Sequence, residues 1–319
     1  MLSLSEIEEA AAIVHAAMPP TAQYAWPLLA RRTGCEVWVK HENHTPIGAF
    51  KVRGGLVYIE RLKRRQAGLR GVISATRGNH GQSIALAARR AGIAATIVVP
   101  RGNSIEKNAA MRAFGAELVE AGHDFDAAKD EAARLAGERG LTMVPSFHRD
   151  LVAGVSSYAL ELFRTAPPLD TVYVPIGLGS GLCGVISARD TLGLKTKVVG
   201  VVSTEAPAYA LSFAAGKVVP TNSANTMADG MAVRGPDAEA LNVILKGADR
   251  IVQVSDAEVM EAMRAYYSDT HQIAEGAGAA SLAALMQERE KLGGKRVGLI
   301  LTGGNIDKPL YLRALAGGG

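Results

Sequence analysis

Lys51 is the residue whose placement first suggests chemistry, in the stretch PIGAFKVRG from residue 46 to residue 54. It directly follows Phe50, in a turn rich in proline and glycine and close to the end of a strand-like run. Taken alone, a lysine is expected on the surface with its charge in water. In a cleft, the same amine could form a Schiff base or act as a general base. The other loops of the chain indicate whether Lys51 lies on the surface or in a cleft.

A glycine-rich loop, GLGSGLCG, runs from Gly177 to Gly184 between a strand-like segment and a helical one. Closely spaced glycines let backbone N–H groups turn toward one point, and the helix that follows adds the positive end of its dipole, which suits a phosphate. The glycines also fit GxGxxG, with Glu205 about twenty residues beyond, as in a nicotinamide dinucleotide site. A tight turn without a ligand is the third interpretation.

Two further loops follow strand-like segments. In LTGGN, residues 301 to 305, Thr302 offers an uncharged hydroxyl to a ring nitrogen, although the stretch alone would be interpreted as a turn. In TRGNHGQS, residues 76 to 83, Asn79 and His80 stand at a helix start whose free N–H groups suit a carboxylate. By itself, that loop favours Asn79 as an ordinary helix cap. Together with an amine that could form a Schiff base, the loops indicate a pyridoxal phosphate site.

The elements that carry these loops alternate between strand and helix. From about residue 70 onward, β-branched runs such as GVISAT, ATIVVP, DTVYVPIG and KVVGVVS are separated by helical patterns. This alternation predicts an α/β fold with a mostly parallel, doubly wound sheet. Ligands bind such sheets at the carboxyl ends of the strands, which is where the unusual loops lie.

Composition narrows the class of protein. The 319 residues are 48% apolar and 21% charged, with a formal charge of +4 and 5% aromatic residues, so we expect a globular protein that does not bind nucleic acid. The basic run at residues 61 to 70 is expected on the solvated face of a helix. Two cysteines in no metal-type spacing favour a reducing cytoplasm.

The N-terminal segment has no basic region and carries acids among its apolar residues, so it predicts neither a signal peptide nor a membrane span. Ser5 with Glu8 predicts a capping box that opens an ordinary helix.

Four motifs together resemble the fold-type II pyridoxal phosphate enzymes, in the branch of the serine/threonine dehydratases and serine racemase. They are KHENHTPIGAFKVRGG from Lys40, ATRGNHGQS, VPIGLGSGLCG and LTGGN, in the order and approximate spacing of that family. The resemblance covers nearly the whole chain. It implies two open, doubly wound domains like those of the tryptophan synthase β chain: a large one from residues 1–71 and 149–319, and a small one from residues 72–148. It also implies the short form, without a regulatory domain.

The resemblance assigns roles to individual residues. Lys51 would form the Schiff base, with Phe50 packed beside it, and Thr302 would face the pyridine nitrogen. Asn79 would bond the ring hydroxyl, and Glu275, in AEGAGAAS, would lie near the cofactor. The phosphate loop would consist of Gly177, Leu178, Gly179, Ser180 and Gly181, and the substrate loop of Thr76, Arg77, Gly78, Asn79 and His80.

Three departures from the family pattern bear on function. Arg77 stands where relatives have a small residue, which in serine racemase is a serine that acts as the second base. We expect Arg77 to have an active-site role that blocks racemisation. Leu178 and Ser180 interrupt a loop that is often four glycines, so we expect its N–H cradle to be retained and do not carry over its detailed shape. Thr204 replaces the acidic ligand of a divalent cation, so no metal site is carried over.

The implied reaction is loss of water from a β-hydroxy-α-amino acid, such as threonine, serine, 3-phenylserine or 3-hydroxyaspartate, to give a 2-oxo acid and ammonia. Lys51 would be the general base, and Arg77 the second catalytic candidate. An amino-acid racemase and a β-replacement synthase remain alternatives, and a nicotinamide-dependent oxidoreductase is the alternative from another class. Small-molecule substrates and a homodimer are expected.

Overall fold

The computed structural model describes residues 2 to 317. Within them, helices and strands alternate along the chain as the sequence predicts. The strands are β1 (Gln23–Ala25), β2 (Glu36–His41), β3 (Val72–Ala75), β4 (Ala95–Val99), β5 (Glu117–Glu120), β6 (Thr142–Met143), β7 (Thr171–Pro175), β8 (Lys197–Ser203), β9 (Arg250–Val254) and β10 (Arg296–Leu301). The helices are α1 (Leu4–His15), α2 (Pro27–Thr33), α3 (Lys51–Arg65), α4 (Asn79–Ala91), α5 (Ile105–Ala113), α6 (Phe125–Arg139), α7 (Arg149–Thr165), α8 (Ser180–Thr191), α9 (Ala208–Ala215), α10 (Ala238–Gly247), α11 (Asp256–Thr270), α12 (Gly276–Glu288) and α13 (Lys308–Leu315).

The strands form two sheets. The larger sheet has the order β1-β2-β10-β7-β8-β9 and is parallel except for β1, which pairs antiparallel with β2. The smaller sheet has the order β5-β4-β3-β6 and is parallel throughout. Its strands run from Val72 to Met143, within the range expected for the small domain. The domain boundaries themselves stay a prediction.

Burial on both faces explains why the central strands are almost wholly apolar. Every residue of β7 is buried, and successive side chains enter different cores. Val172 and Val174 pack with the core around α3, α7 and α8, whereas Tyr173 packs with the core around α11 and α12. Side chains of a strand alternate between faces, so helices must cover both sides of this sheet. The larger sheet is therefore doubly wound.

The start of α1 corrects a detail of the prediction. The capping box is formed by Ser3 and Glu6: the Glu6 N–H donates to Ser3 Oγ, and the Ser3 N–H donates to the Glu6 carboxylate at 2.7 Å. The predicted box of Ser5 with Glu8 is wrong. Both pairs have the required spacing, but α1 begins at Leu4, two residues before the start that Ser5 would give it. The N-cap is therefore Ser3, and Glu6 is its partner in the box.

The basic run lies at the C-terminal end of α3. Lys63, Arg64 and Arg65 are exposed, as predicted, but Arg61 is partly buried and donates to Asp150 Oδ1 at 2.9 Å. Part of the positive charge of this run is therefore paired with an acidic residue of the protein and not solvated. Across the described residues, no helix combines the length and apolar character needed to cross a bilayer.

Candidate active site

A cavity of about 930 Å³ lies where the loops at the carboxyl ends of the strands meet. Loops from both sheets line it, because parallel strands all end at the same edge of their sheet. Every residue that the sequence singled out for this site lines the cavity: Phe50, Lys51, Thr76, Arg77, Gly78, Asn79, His80, Gly177, Leu178, Gly179, Ser180, Gly181, Glu275 and Thr302. Their individual roles stay predictions.

Lys51 is the first residue of α3, and hydrogen bonds fix the turn before it. The Thr45 hydroxyl accepts from the Ala49 N–H at 2.9 Å and donates to the Ala49 carbonyl at 2.8 Å. The Phe50 N–H then donates to the Thr302 carbonyl at 2.9 Å. The loop before the lysine is therefore tied to the end of β10, a central strand of the larger sheet.

The Lys51 amine lies inside the cavity and not on the outer surface. Its Nζ donates to Ser180 Oγ at 3.3 Å and lies 5.0 Å from the centre of the Phe50 ring. Burial lowers the pKa of the amine to about 8, and the nearby Glu275 carboxyl opposes that shift. About a tenth of the amine is therefore neutral at pH 7, against well under a thousandth for a lysine in water. A neutral amine is the form that can act as nucleophile or base.

The glycine-rich loop forms a compact cradle at the N-terminus of α8. A Cβ on Gly177 would lie 2.4 Å from the Gly230 carbonyl oxygen, so this position has room only for glycine. Gly179 has φ 100°, the left-handed region that favours glycine, and it caps α8 without a side-chain hydrogen bond. The first N–H groups of α8 are therefore free for an anion. The Tyr209 hydroxyl holds the loop by donating to the Leu178 carbonyl at 2.9 Å.

The substrate loop of the sequence prediction enters α4. Gly78 is the N-cap, with no side-chain cap, so the alternative in which Asn79 caps this helix is wrong. Thr76 shapes the turn by accepting from the Gly78 N–H at 3.0 Å. His80 is buried, and its Nε2 has no hydrogen-bond partner within residues 2 to 317. Burial and the Lys51 charge lower the pKa of His80 to about 3, so the ring is neutral at physiological pH.

Asn79 and Glu275 form a hydrogen-bonded chain below this loop. The Asn79 amide donates to Glu275 Oε1 at 2.7 Å, and Asn79 Oδ1 accepts from the Asn305 amide at 2.8 Å. Gly303 allows the close approach, because a Cβ there would lie 2.5 Å from Glu275 Oε1. Burial raises the pKa of Glu275 to about 7. The second N–H of Asn79 remains available to a ligand.

Sequence reasoning missed Lys107 and Asp229. Lys107 lies in the first turn of α5, where a lysine in a helical pattern indicates a surface residue. Its Nζ instead binds Asp229 Oδ2 at 2.6 Å and lies 3.4 Å from Glu275 Oε2. Asp229 belongs to the irregular segment between α9 and α10. No sequence pattern in either segment predicts that Lys107 pairs with Asp229, because the two residues lie more than a hundred positions apart in the chain.

Arg77 lies at the mouth of the cavity and is exposed. Its side chain makes no hydrogen bond or ion pair with any part of the chain that the structure describes, but its charge acts on Asp124, the N-cap of α6: the Ala127 N–H lowers the pKa of Asp124 most, and the Arg77 charge adds to that shift. A different pair, Arg234 with Asp126, spans the mouth beside it. The Arg77 guanidinium is therefore accessible to a molecule that enters the cavity.

These features fit pyridoxal phosphate. The loop has no room for a side chain at Gly177 and leaves the N–H groups at the start of α8 free, which suits a phosphate. The Lys51 amine lies in the same cavity with a lowered pKa, so it can form a Schiff base with a carbonyl group. Thr302 is buried at the end of β10 and lines the same cavity, offering a hydroxyl without charge. By contrast, Glu205 is exposed and does not line the cavity, which removes the acidic partner of the nicotinamide alternative.

An α/β protein with two parallel sheets and a buried lysine amine between such loops belongs to the class of cofactor-dependent amino-acid enzymes. The sequence profile of the family described as pyridoxal-phosphate dependent enzymes matches residues 16–303. The chain belongs to this family. The predictions of the cofactor and of the fold are confirmed, and the nicotinamide alternative is wrong.

Similar proteins include two lyases. An L-threonine ammonia-lyase of Thermotoga maritima is 33% identical over 96% of this chain and 76% of its own. An L-threo-3-hydroxyaspartate ammonia-lyase of Pseudomonas sp is 34% identical over 91% of both chains. Among solved structures, maize serine racemase superposes with a TM-score of 0.91, at 26% identity over 98% of this chain and 97% of that one. The similarity to ammonia-lyases supports the prediction of a pyridoxal phosphate-dependent lyase of the dehydratase type.

Proposed function

We propose that the chain eliminates water from a β-hydroxy-α-amino acid and releases a 2-oxo acid and ammonia. The observation that carries this proposal is the Lys51 amine, which lies in the cavity with its pKa lowered to about 8. An amine so placed can remove the proton from the α-carbon of a bound amino acid. The similarity to ammonia-lyases that act on threonine and 3-hydroxyaspartate supports the same reaction and substrate class.

The cofactor would be held by loops of both sheets. We assign its phosphate to the N–H groups of Gly177 to Gly181 and its ring hydroxyl to the free N–H of Asn79. Thr302 would meet the ring nitrogen with an uncharged hydroxyl. When bound, pyridoxal phosphate supplies delocalisation of the charge left at the α-carbon. With no acid opposite the nitrogen that delocalisation is weaker, which favours prompt loss of the β-hydroxyl.

The amino-acid substrate would be oriented by the loop from Thr76 to His80. Gly78 leaves the first N–H groups of α4 without a cap, and these suit the α-carboxylate. His80 stays neutral at working pH, so it can hydrogen-bond the substrate without adding a second positive charge beside Lys51. The loop therefore orients the α-carbon while Lys51 takes its proton.

Arg77 distinguishes elimination from racemisation. A racemase needs a second base that can exchange a proton on the face opposite Lys51, and a guanidinium is always protonated in proteins. We assign Arg77 to the substrate at the cavity mouth, either to its carboxylate or to an acidic β-substituent, because the guanidinium is exposed there and has no hydrogen-bonded or ion-paired partner among residues 2 to 317. Racemase activity is the second candidate, and the similarity to maize serine racemase is what favours it.

Three properties of the whole protein are part of the proposal. We propose a homodimer, a cytoplasmic location, which two free, buried cysteines support, and a small domain of residues 72–148 between parts of a large one. Light scattering of the purified protein tests the first. Limited proteolysis at the two boundaries tests the last.

The deciding experiment is a panel of β-hydroxy amino acids, measured for release of 2-oxo acid and ammonia and, by chiral chromatography, for D-amino acid. We expect 2-oxo acid and ammonia in equal amounts, with no D-isomer. The matched controls are Lys51→Ala and Lys195→Met, which remove a lysine in the cavity and an exposed lysine distant from it. Product from Lys51→Ala at the parent rate, or D-amino acid as the main product, would refute the proposal.

A further inference from the structure

The Lys107 side chain reaches from a helix of the smaller sheet to two acidic residues beside the larger sheet, Asp229 and Glu275. Its helix, α5, connects β4 and β5 of the smaller sheet. Its partners lie on segments that connect strands of the larger sheet: Asp229, between β8 and β9, at 2.6 Å, and Glu275, the N-cap of α12 between β9 and β10, at 3.4 Å. The Lys107 side chain is only 6% exposed. A single cation from the smaller sheet is thus inserted between two carboxylates of the larger one.

Burying this charge has a cost that the two acids offset. Burial alone would lower the pKa of Lys107, but Glu275 and Asp229 outweigh it and raise the pKa, so the ammonium stays charged. Its stem is also confined, because a Cβ on Gly78 would lie 2.6 Å from Lys107 Cδ. The turn that enters the substrate loop therefore packs directly on this lysine.

The charge state of Glu275 depends on the groups that face it. Burial raises its pKa, Lys107 lowers it, Asp229 raises it, and the hydrogen bond from Asn79 lowers it. Lys51 is the remaining charged neighbour, and the Glu275 carboxylate supports the positive charge of the Lys51 amine. Lys107 is the cation in direct contact with the Glu275 carboxylate. Without it, burial and Asp229 would raise the pKa of Glu275 further, and the protonated carboxyl would dominate at neutral pH.

We propose that Lys107 is a positioning residue that reaches from the smaller sheet to favour the ionised form of Glu275, and so supports the proton on Lys51. Lys107 acts through Glu275, since its own partners are the two carboxylates and not the Lys51 amine. The inference rests on the proposed function only in that Lys51 is the reactive amine.

The test follows the proton on Glu275 directly. Infrared spectroscopy across about pH 5 to 9 detects a protonated buried carboxyl, and the band missing in Glu275→Gln assigns it. Lys107→Met removes the charge and keeps the stem, so we expect the Glu275 midpoint to rise by about one pH unit or more. Lys107→Arg should stay within about half a unit of the parent. Lys195→Met, which removes an exposed lysine distant from the cavity, should not move it.

A second readout reports on Lys51. The rate at which the cofactor-free full chain is acylated at Lys51, followed by mass spectrometry against pH, gives the pKa of that amine. Lys107→Met should lower it, because protonated Glu275 no longer supports the Lys51 charge. Asp229→Asn should act in the opposite sense and lower the Glu275 midpoint, since Asp229 raises the pKa of Glu275. This variant provides the test if Lys107→Met does not fold.

An unchanged Glu275 midpoint in folded Lys107→Met, or an upward shift in Asp229→Asn, would overturn the inference. Both measurements are independent of turnover. Failure of the proposed function would instead appear as retained activity in Lys51→Ala, with the Glu275 titration still responding to Lys107. The two failures are therefore distinguishable.

Discussion

Gly177→Ala should weaken cofactor binding by an amount that the loop geometry sets. The added Cβ would lie 2.4 Å from the Gly230 carbonyl oxygen, and real Cβ atoms do not approach closer than 3.0 Å, so the loop or its neighbour must move by at least about 0.6 Å. Both contacting groups are backbone, so no side chain can rotate away. Forcing an extra methyl into such a site costs about 1 to 3 kcal/mol.

In the cofactor-free protein the loop can relax away from Gly230. Bound phosphate would hold the loop in place, so we expect most of this cost to appear as lost affinity. A cost of 1 to 3 kcal/mol corresponds to a rise of roughly 5- to 150-fold in the dissociation constant. The assay is titration of cofactor-free protein with pyridoxal phosphate, followed by absorbance. Thermal unfolding of the cofactor-free Gly177→Ala protein measures how much of the free-energy cost of the added methyl group lowers the stability of the fold.

The control is Gly293→Ala, where an added Cβ meets nothing within 4 Å and the backbone φ is not positive. It should bind the cofactor like the parent. If Gly177→Ala also binds like the parent and unfolds at the same temperature, the loop does not hold the phosphate as we describe.

Three further predictions concern single side chains. Lys51→Ala should lower turnover by about a hundredfold or more while thermal unfolding stays unchanged, because it removes the base and not a core contact. Arg77→Ser should raise the Michaelis constant for elimination several-fold and leave unfolding unchanged, because the Arg77 side chain is exposed and makes no hydrogen bond or ion pair within the described residues. For Glu161, burial opposes ionisation, but Arg53 and Lys40 outweigh it and lower the pKa to about 2. That depressed pKa contributes up to about 3 kcal/mol of stability, fully present above about pH 4.5 and lost as pH falls toward about 2. Glu161→Gln should flatten urea-unfolding stability across that window.

Each of these has a clear contrary outcome. Turnover of Lys51→Ala within tenfold of the parent would remove it as the base. Unchanged kinetics and substrate preference in Arg77→Ser would make that residue a bystander, whereas D-amino acid from this variant would support its role in preventing racemisation. An acid transition in Glu161→Gln as steep as that of the parent would assign the pH dependence to other carboxyls.

The sequence by itself determined the class of fold and predicted which loops line the cavity. Strands buried on both faces must be apolar throughout, so β7 and β4 are visible as short β-branched runs. Parallel strands end at a common edge, so Lys51, Gly177 and Thr302 could be placed together from their loops alone. These are local signals, since backbone chemistry sets them within a few residues.

Only the tertiary structure decided the electrostatics. The lowered pKa of Lys51 comes from burial, and the pairing of Lys107 with Asp229 and Glu275 joins segments far apart in the chain. A lysine in a helical sequence pattern does not indicate which distant segments will pack around its side chain in the folded protein. The charge environment of Arg77 is a similar case, because folding brings it near Asp124, the N-cap of α6. Charge states depend on distance and desolvation, and the folded chain sets both.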